Sequence, residues 1–193
     1  MPDMPDTARL TTERLILRPI TLQDADQYEA HFATWNVIRH LNETVPWPYP
    51  KGGAIEHLIK LLPEQGKSEF FWALAERSDP DETLIGAIQL HKTSETEASR
   101  GFWLGQDWQG KGYMTEAVLA VQDYAFTTLG LDKLTITNAV DNRASSRIKQ
   151  KTGARLLRTE PGTYCDPTLT MREVWELTSQ DWGDFKSRNG LTF

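Results

Sequence analysis

The sequence predicts one α/β domain of the α+β kind, with about seven strands and helices between them. Three observations lead there. Its 193 residues suit a single domain with a substantial core. Seven stretches carry strand patterning, and helical periodicity interrupts them. The third is the order strand, glycine loop, helix over residues 101–121. There an apolar run ends in a polar turn, Gly110-Lys111-Gly112 follows, and Met114, Ala117, Val118 and Val121 recur at the spacing of a buried helix face.

In chain order, residues 1–8 are polar, carry two prolines and read as a loose tail. The domain is expected over residues 9–178, and residues 179–193 as a closing helix or tail. Residues 14–20 alternate Leu15 and Leu17 against Ile16 and Arg18, a first strand ended by Pro19. Thr21 is an N-cap candidate with Asp24 three positions on, opening a helix to about Phe32. A second short helix is expected over 34–41. Residues 44–50 hold Pro46, Pro48 and Pro50 between aromatics, so they form a stiff loop without ladder hydrogen bonds. A helix over 54–62 puts Ile55, Leu58, Ile59 and Leu62 on one side.

Strands over 70–76 and 83–91 flank the turn Ser78-Asp79-Pro80-Asp81 and should pair as a hairpin. The fourth strand is 99–105. The helix behind the glycine loop should end near Leu129-Gly130, a C-cap signal. A fifth strand covers 133–140, a short helix 142–151 stops at Gly153, and 154–159 and 168–177 are the last two strands.

Composition narrows the function classes. A net charge of −6 argues against nucleic acid as the main ligand. Cys165 is the lone cysteine, so no internal disulfide can form. With no long apolar run, no membrane association is expected and a cytoplasmic monomer or homodimer is the default. The histidines His31, His40, His57 and His91 show no metal-ligand spacing, so no metal is expected.

A strand–glycine–helix unit leaves unpaired amides at the positive end of a helix dipole, a setting suited to phosphate. The Lys-Ser/Thr of the nucleotide-triphosphate loop is absent, as is the third glycine of the dinucleotide fingerprint. Instead Gln109-Gly110-Lys111-Gly112-Tyr113-Met114 resembles the acyl-coenzyme A loop, Gln/Arg-x-x-Gly-x-Gly/Ala, of the GNAT acetyltransferases. Met114 departs from its final small residue. The longer string from Trp108 to Ala117 is similar to the branch containing the ribosomal-protein N-terminal acetyltransferases. Asn142-Arg143-Ala144-Ser145, followed by Gly153, is similar to the family's second signature.

The resemblance covers roughly residues 13–177. It implies a mixed sheet of about seven strands with helices on both faces, splayed between the fourth and fifth strands. In that gap the pantetheine arm of acetyl-CoA would run along Phe102, Trp103 and Leu104, with its diphosphate on residues 109–114. It implies that Asn142 helps hold pantetheine and that a hydroxyl, here Ser145, lies near the sulfur. Asn142 also reads as an ordinary N-cap. Many relatives carry a tyrosine acid where this chain has Lys149, which shifts the acid role to Ser145. Arg143, Arg147, Lys149 and Lys151 form a basic cluster, either a solvated helix face or a contact to the ribose phosphate, and Arg147 and Lys149 are candidate coenzyme contacts.

The implied reaction is direct transfer of acetyl from acetyl-CoA to a primary amine, a protein N-terminus or a small molecule. The general base is open among Glu43, Glu97, His91 and Asp166, since Ser99 stands where some relatives carry a carboxylate. Glu116 reads as a first-turn residue favouring the helix dipole. Residues 34–51 and 160–168 are the expected acceptor-side loops. A non-catalytic acyl-CoA-binding or sensing module is the alternative reading.

Overall fold

The computed structural model describes residues 7–193. An eight-stranded sheet runs in the order β1-β2-β3-β4-β5-β6-β8-β7. Its strands are β1 (Leu10–Thr11), β2 (Leu15–Pro19), β3 (Glu69–Glu76), β4 (Gly86–Lys92), β5 (Glu97–Leu104), β6 (Lys133–Ala139), β7 (Arg155–Pro161) and β8 (Met171–Thr178). The eighth strand, beyond the seven expected, is the two-residue β1, too short to leave a periodic signal. Every pairing is antiparallel except β5 with β6. The hairpin expected across residues 78–81 is β3–β4.

Both faces of the sheet are covered. The sequence of β3, Phe70-Phe71-Trp72-Ala73-Leu74-Ala75, is apolar without alternation, as a strand buried on both sides must be. Phe70, Trp72 and Leu74 face one core with Met114, Ala117, Val118 and Val121 of α4 (Tyr113–Asp123) and Trp182 of α6 (Ser179–Asn189). Phe71 and Ala73 face a second core. It holds Ala25, Tyr28 and Phe32 of α1 (Ala25–Phe32), Val37 and Ile38 of α2 (Trp35–Ile38), and Ala54, Leu58 and Leu61 of α3 (Gly53–Leu61).

The face of α3 corrects the sequence reading. Ile55 and Ile59 are exposed, because the helix turns Ala54, Leu58 and Leu61 to the core. A stripe of Gly53, Glu56, His57 and Lys60, at the same three/four spacing, instead borders a cavity.

Helix α4 continues as a π-helical turn, Tyr124–Thr128, and the chain leaves it through Gly130 at φ 63°. Helix α5 (Arg143–Lys151) is N-capped as expected: Asn142 Oδ1 accepts from the Ser145 amide at 3.1 Å. Most of the expected tail, residues 1–6, lies outside the described residues. Its last two residues pack down: Thr7 is buried, and the Ala8 carbonyl accepts from Trp72 Nε1 at 2.7 Å. None of the described helices is long and apolar enough to cross a membrane.

Candidate active site

The parallel ladder between β5 and β6 is only two pairs long, Glu97 with Lys133 and Ala98 with Leu134. Beyond it β5 continues against β4 as far as Leu104, while β6 continues against β8 as far as Ala139. The strands therefore part, and one edge of β5 from Ser99 onward loses its ladder. This is the splay the resemblance implied. An unpaired strand edge inside a domain needs hydrogen-bond partners.

A cavity of about 390 Å³ opens at the splay. Phe102, Trp103 and Leu104 form one wall. The glycine loop and the start of α4 form the second, through Gln109, Gly110, Gly112, Tyr113 and Met114. Helix α5 gives the third, through Asn142, Ser145 and Arg147. The structure thus brings together nearly all the expected coenzyme-side residues. Lys111 stays outside the lining, its carbonyl accepting from Arg14 Nη1 at 2.9 Å.

Local geometry makes the loop. Gly110 and Gly112 sit at φ 77° and 84°, values that carry strain for any residue with a Cβ. Among the described residues, no carbonyl accepts from the amides of Gly110 to Met114. A Cβ at Gly110 would meet no atom within 4 Å, so this backbone is open to an approaching group. Five free amides, a helix N-terminus and Arg147 fit an anionic diphosphate. The loop is braced from behind. Gln109 Nε2 donates to the Leu104 carbonyl at 2.9 Å, and the Tyr113 hydroxyl donates to Glu76 at 2.5 Å.

Glu116 does more than sit near a helix dipole. Its Oε1 accepts from Thr12 Oγ1 at 2.5 Å and from the Arg14 amide at 2.7 Å, and its Oε2 pairs with Arg14 Nε at 2.7 Å. It clamps the β1–β2 turn to the first turn of α4. Burial pushes its carboxyl up, but these donors outweigh burial and hold it below the usual range.

Lys149 does not belong to an exposed basic cluster. Only 1% of it is exposed, and its Nζ donates to Ser145 Oγ at 2.7 Å. The i,i+4 spacing that puts it behind Ser145 turns it inward, whereas Arg143, Arg147 and Lys151 stay at the surface.

The candidate bases scatter. Glu97 pairs with Lys133 at 2.9 Å, at the closed end of the splay. Glu43 is exposed, and His91 Nδ1 bonds Glu69 at 2.5 Å. Asp166 is taken up by Arg39 at 2.9 Å and Thr168 Oγ1 at 2.6 Å. None of the four lines a cavity at the splay.

A second cavity, of about 490 Å³, meets the first at Leu41, Phe102 and Trp103. Its walls include Tyr28, Phe32, Tyr49 and Phe71, with Glu56, His57 and Lys60 from α3. Leu41, Asn42, Thr44, Val45, Pro46, Tyr49 and Pro50 line it, so the stiff aromatic loop does border this space. That loop is laced to the other expected acceptor-side segment. Asn42 bridges Tyr164, the Cys165 amide donates to Leu41 O at 2.9 Å, and Arg39 pairs with Asp166. Desolvation lowers the pKa of His57, with Glu69 opposing and Lys60 assisting. Sequence reading passed over His57. The polar stripe on α3 was the signal, masked by the stronger apolar count on its other faces. Burial, then Asp166, raises the Cys165 thiol, the opposite of an activated nucleophile.

Free amides at a helix start beside a parted sheet, opening onto an aromatic second chamber, define a class of enzyme that takes acyl groups from coenzyme A. Residues 14–155 match the acetyltransferase (GNAT) domain. The chain belongs to the GNAT acetyltransferase family and is an acetyl-CoA-dependent acyltransferase. It is 32% identical over 151 residues to the uncharacterized N-acetyltransferase YoaA of Bacillus subtilis (75% of this chain, 81% of the relative). It is 30% identical over 193 residues to the [ribosomal protein uS5]-alanine N-acetyltransferase of Escherichia coli (90% of this chain, 92% of the relative). In fold it matches a GNAT-family acetyltransferase from Bacillus anthracis (TM-score 0.77, 18% identity, 90% of this chain, 99% of that one). It also matches spermidine N-acetyltransferase from Vibrio cholerae solved with CoA and spermine (TM-score 0.73, 18% identity, 87% of this chain, 97% of that one). No group of three or more potential metal ligands occurs among the described residues.

Proposed function

We propose that this chain moves acetyl directly from acetyl-CoA, bound in the first cavity, to a primary amine entering through the second. The supporting observation is that the two cavities meet at Leu41, Phe102 and Trp103, beside the unpaired edge of β5. Acetyl-CoA supplies the activated thioester. The amides from Gly110 to Met114 hold its diphosphate, and the free edge of β5 bonds the pantetheine arm as an added strand would. Asn142 and Arg147 flank it. Ser145 faces the sulfur and donates a proton to the departing thiolate.

The acceptor nitrogen must be neutral to attack. His57 lines the acceptor cavity with its pKa lowered, so it is unprotonated at neutral pH and available to take that proton. Aromatic walls favour an amine that arrives as a cation. The acceptors in the relatives' names, an alanine of ribosomal protein uS5 and spermidine, frame the choice.

The test is free-thiol release from acetyl-CoA with alanine- and serine-initiated peptides and spermidine. Release that depends on one of these amines supports the reading. Firm acetyl-CoA binding without release across a broad amine panel favours the non-catalytic acyl-CoA-binding module instead.

A further inference from the structure

We propose that Lys149 is a positioning residue for acetyl transfer: its buried amine holds the Ser145 hydroxyl so that the Ser145 proton is delivered to the departing thiolate. This rests on the reading of the first cavity as the thioester site.

The geometry is unusual for a lysine. Its side chain is 1% exposed, yet among the described residues no carboxylate lies within ion-pair distance. Its hydrogen bond runs to Ser145 Oγ at 2.7 Å, and its Nζ stands 5.8 Å from the centre of the Phe102 ring. Burying an unpaired ammonium is costly, and a methionine would fill similar space without that cost. The cost falls directly behind the one hydroxyl that α5 presents to the splay. An ammonium donates only, so while Lys149 is protonated the Ser145 proton must point away from it, on the cavity side. Once Lys149 is neutral, its lone pair competes for that proton.

The groups around Lys149 place this change within reach. Burial lowers its pKa well below the ordinary lysine value; Arg100 on β5 lowers it further, and Glu173 on β8 raises it. Arg100 is itself fully buried, pushed down to about 9 by desolvation, and it bonds Gln122 of α4. Glu173 is engaged by Ser146 Oγ at 2.6 Å, Asn138 Nδ2 at 3.0 Å and Trp175 Nε1 at 3.0 Å.

The step balances. The acceptor nitrogen bonds the acetyl carbon as the carbon–sulfur bond breaks, and sulfur keeps that electron pair. Ser145 protonates the sulfur, Lys149 returns a proton to the Ser145 oxygen, and the proton shed by the acceptor nitrogen restores the ammonium through solvent.

The experiment compares wild type, Lys149→Met, Lys149→Gln, Ser145→Ala and the double variant. It follows thiol release from acetyl-CoA with an alanine-initiated peptide and with water alone as acceptors. Melting temperatures with and without acetyl-CoA are read in parallel, so whichever Lys149 variant folds carries the test. The proposal expects kcat to fall roughly 10- to 100-fold, with KM for acetyl-CoA unchanged. It expects the alkaline limb of the wild-type profile to vanish and Lys149→Met to add nothing to Ser145→Ala. Wild-type kcat and alkaline limb in the Lys149 variants, or losses that multiply in the double variant, overturn it. A wild type that acetyl-CoA does not stabilise overturns the cavity reading itself, while stabilisation with an unchanged pH profile overturns only the role of Lys149.

Discussion

Gln109 Nε2 donates to the Leu104 carbonyl across 2.9 Å, tying the entrance of the glycine loop to the last residue of β5. The bond fixes the distance between the two surfaces that a coenzyme must touch at once. Gln109→Ala removes it without opening the core, since Gln109 is exposed. A single hydrogen bond is worth about 1 kcal/mol, so acetyl-CoA affinity should drop roughly 5- to 10-fold in calorimetry. The melting temperature of the ligand-free protein should barely move.

Gly112→Asp acts on the loop itself. At φ 84° any side chain is strained by about 1–2 kcal/mol. The added carboxylate also places negative charge at the diphosphate end of α4, against the helix dipole's preference for that ligand. Coenzyme binding should fall below detection by calorimetry while circular dichroism stays folded. Undiminished affinity would put the diphosphate elsewhere.

His57→Gln keeps a polar side chain on α3 but removes a titratable base. Turnover should fall roughly 100- to 10,000-fold at neutral pH with acetyl-CoA affinity intact. In the wild type, kcat should decline as pH falls through the lowered His57 pKa, and that acid limb should be missing from the variant. An identical limb in both proteins would acquit His57.

Acid should loosen the fold through three carboxylates held below the usual range. Burial raises each, but donors outweigh it: Arg18 and Thr21 around Asp24, Thr12 and Arg14 around Glu116, and Ser146, Asn138 and Trp175 around Glu173. A depressed folded pKa contributes stability that is complete above the unfolded value and lost as pH falls through the folded one. Melting temperature should therefore hold steady down to about pH 5 and decline below about pH 4. Asp24→Asn should lower it at neutral pH and flatten part of that decline. A variant with the wild-type slope would remove Asp24 from the account.

The sequence carried the elements whose signals are local. Alternation in Leu15 and Leu17, the spacing of Met114, Ala117, Val118 and Val121, and Asn142 before Ser145 each have one physical cause within a few residues. What it could not carry depends on which face meets which neighbour. The face read for α3 was Ile55, Leu58, Ile59 and Leu62, yet the core takes Ala54, Leu58 and Leu61 and leaves Ile55 and Ile59 exposed. Lys149 looked like its exposed basic neighbours until the packing of α5 behind β5 buried it. Glu116 matched the helix dipole, but its tie to Thr12 and Arg14 spans about a hundred residues and leaves no periodic trace.

The most direct measurement is a crystal structure grown with coenzyme A. The account predicts the diphosphate on the amides from Gly110 to Met114 and the pantetheine arm along Phe102, Trp103 and Leu104, its sulfur near Ser145 at the mouth of the aromatic chamber. An arm lying along any other strand, or a diphosphate away from the start of the α4 helix, would contradict it.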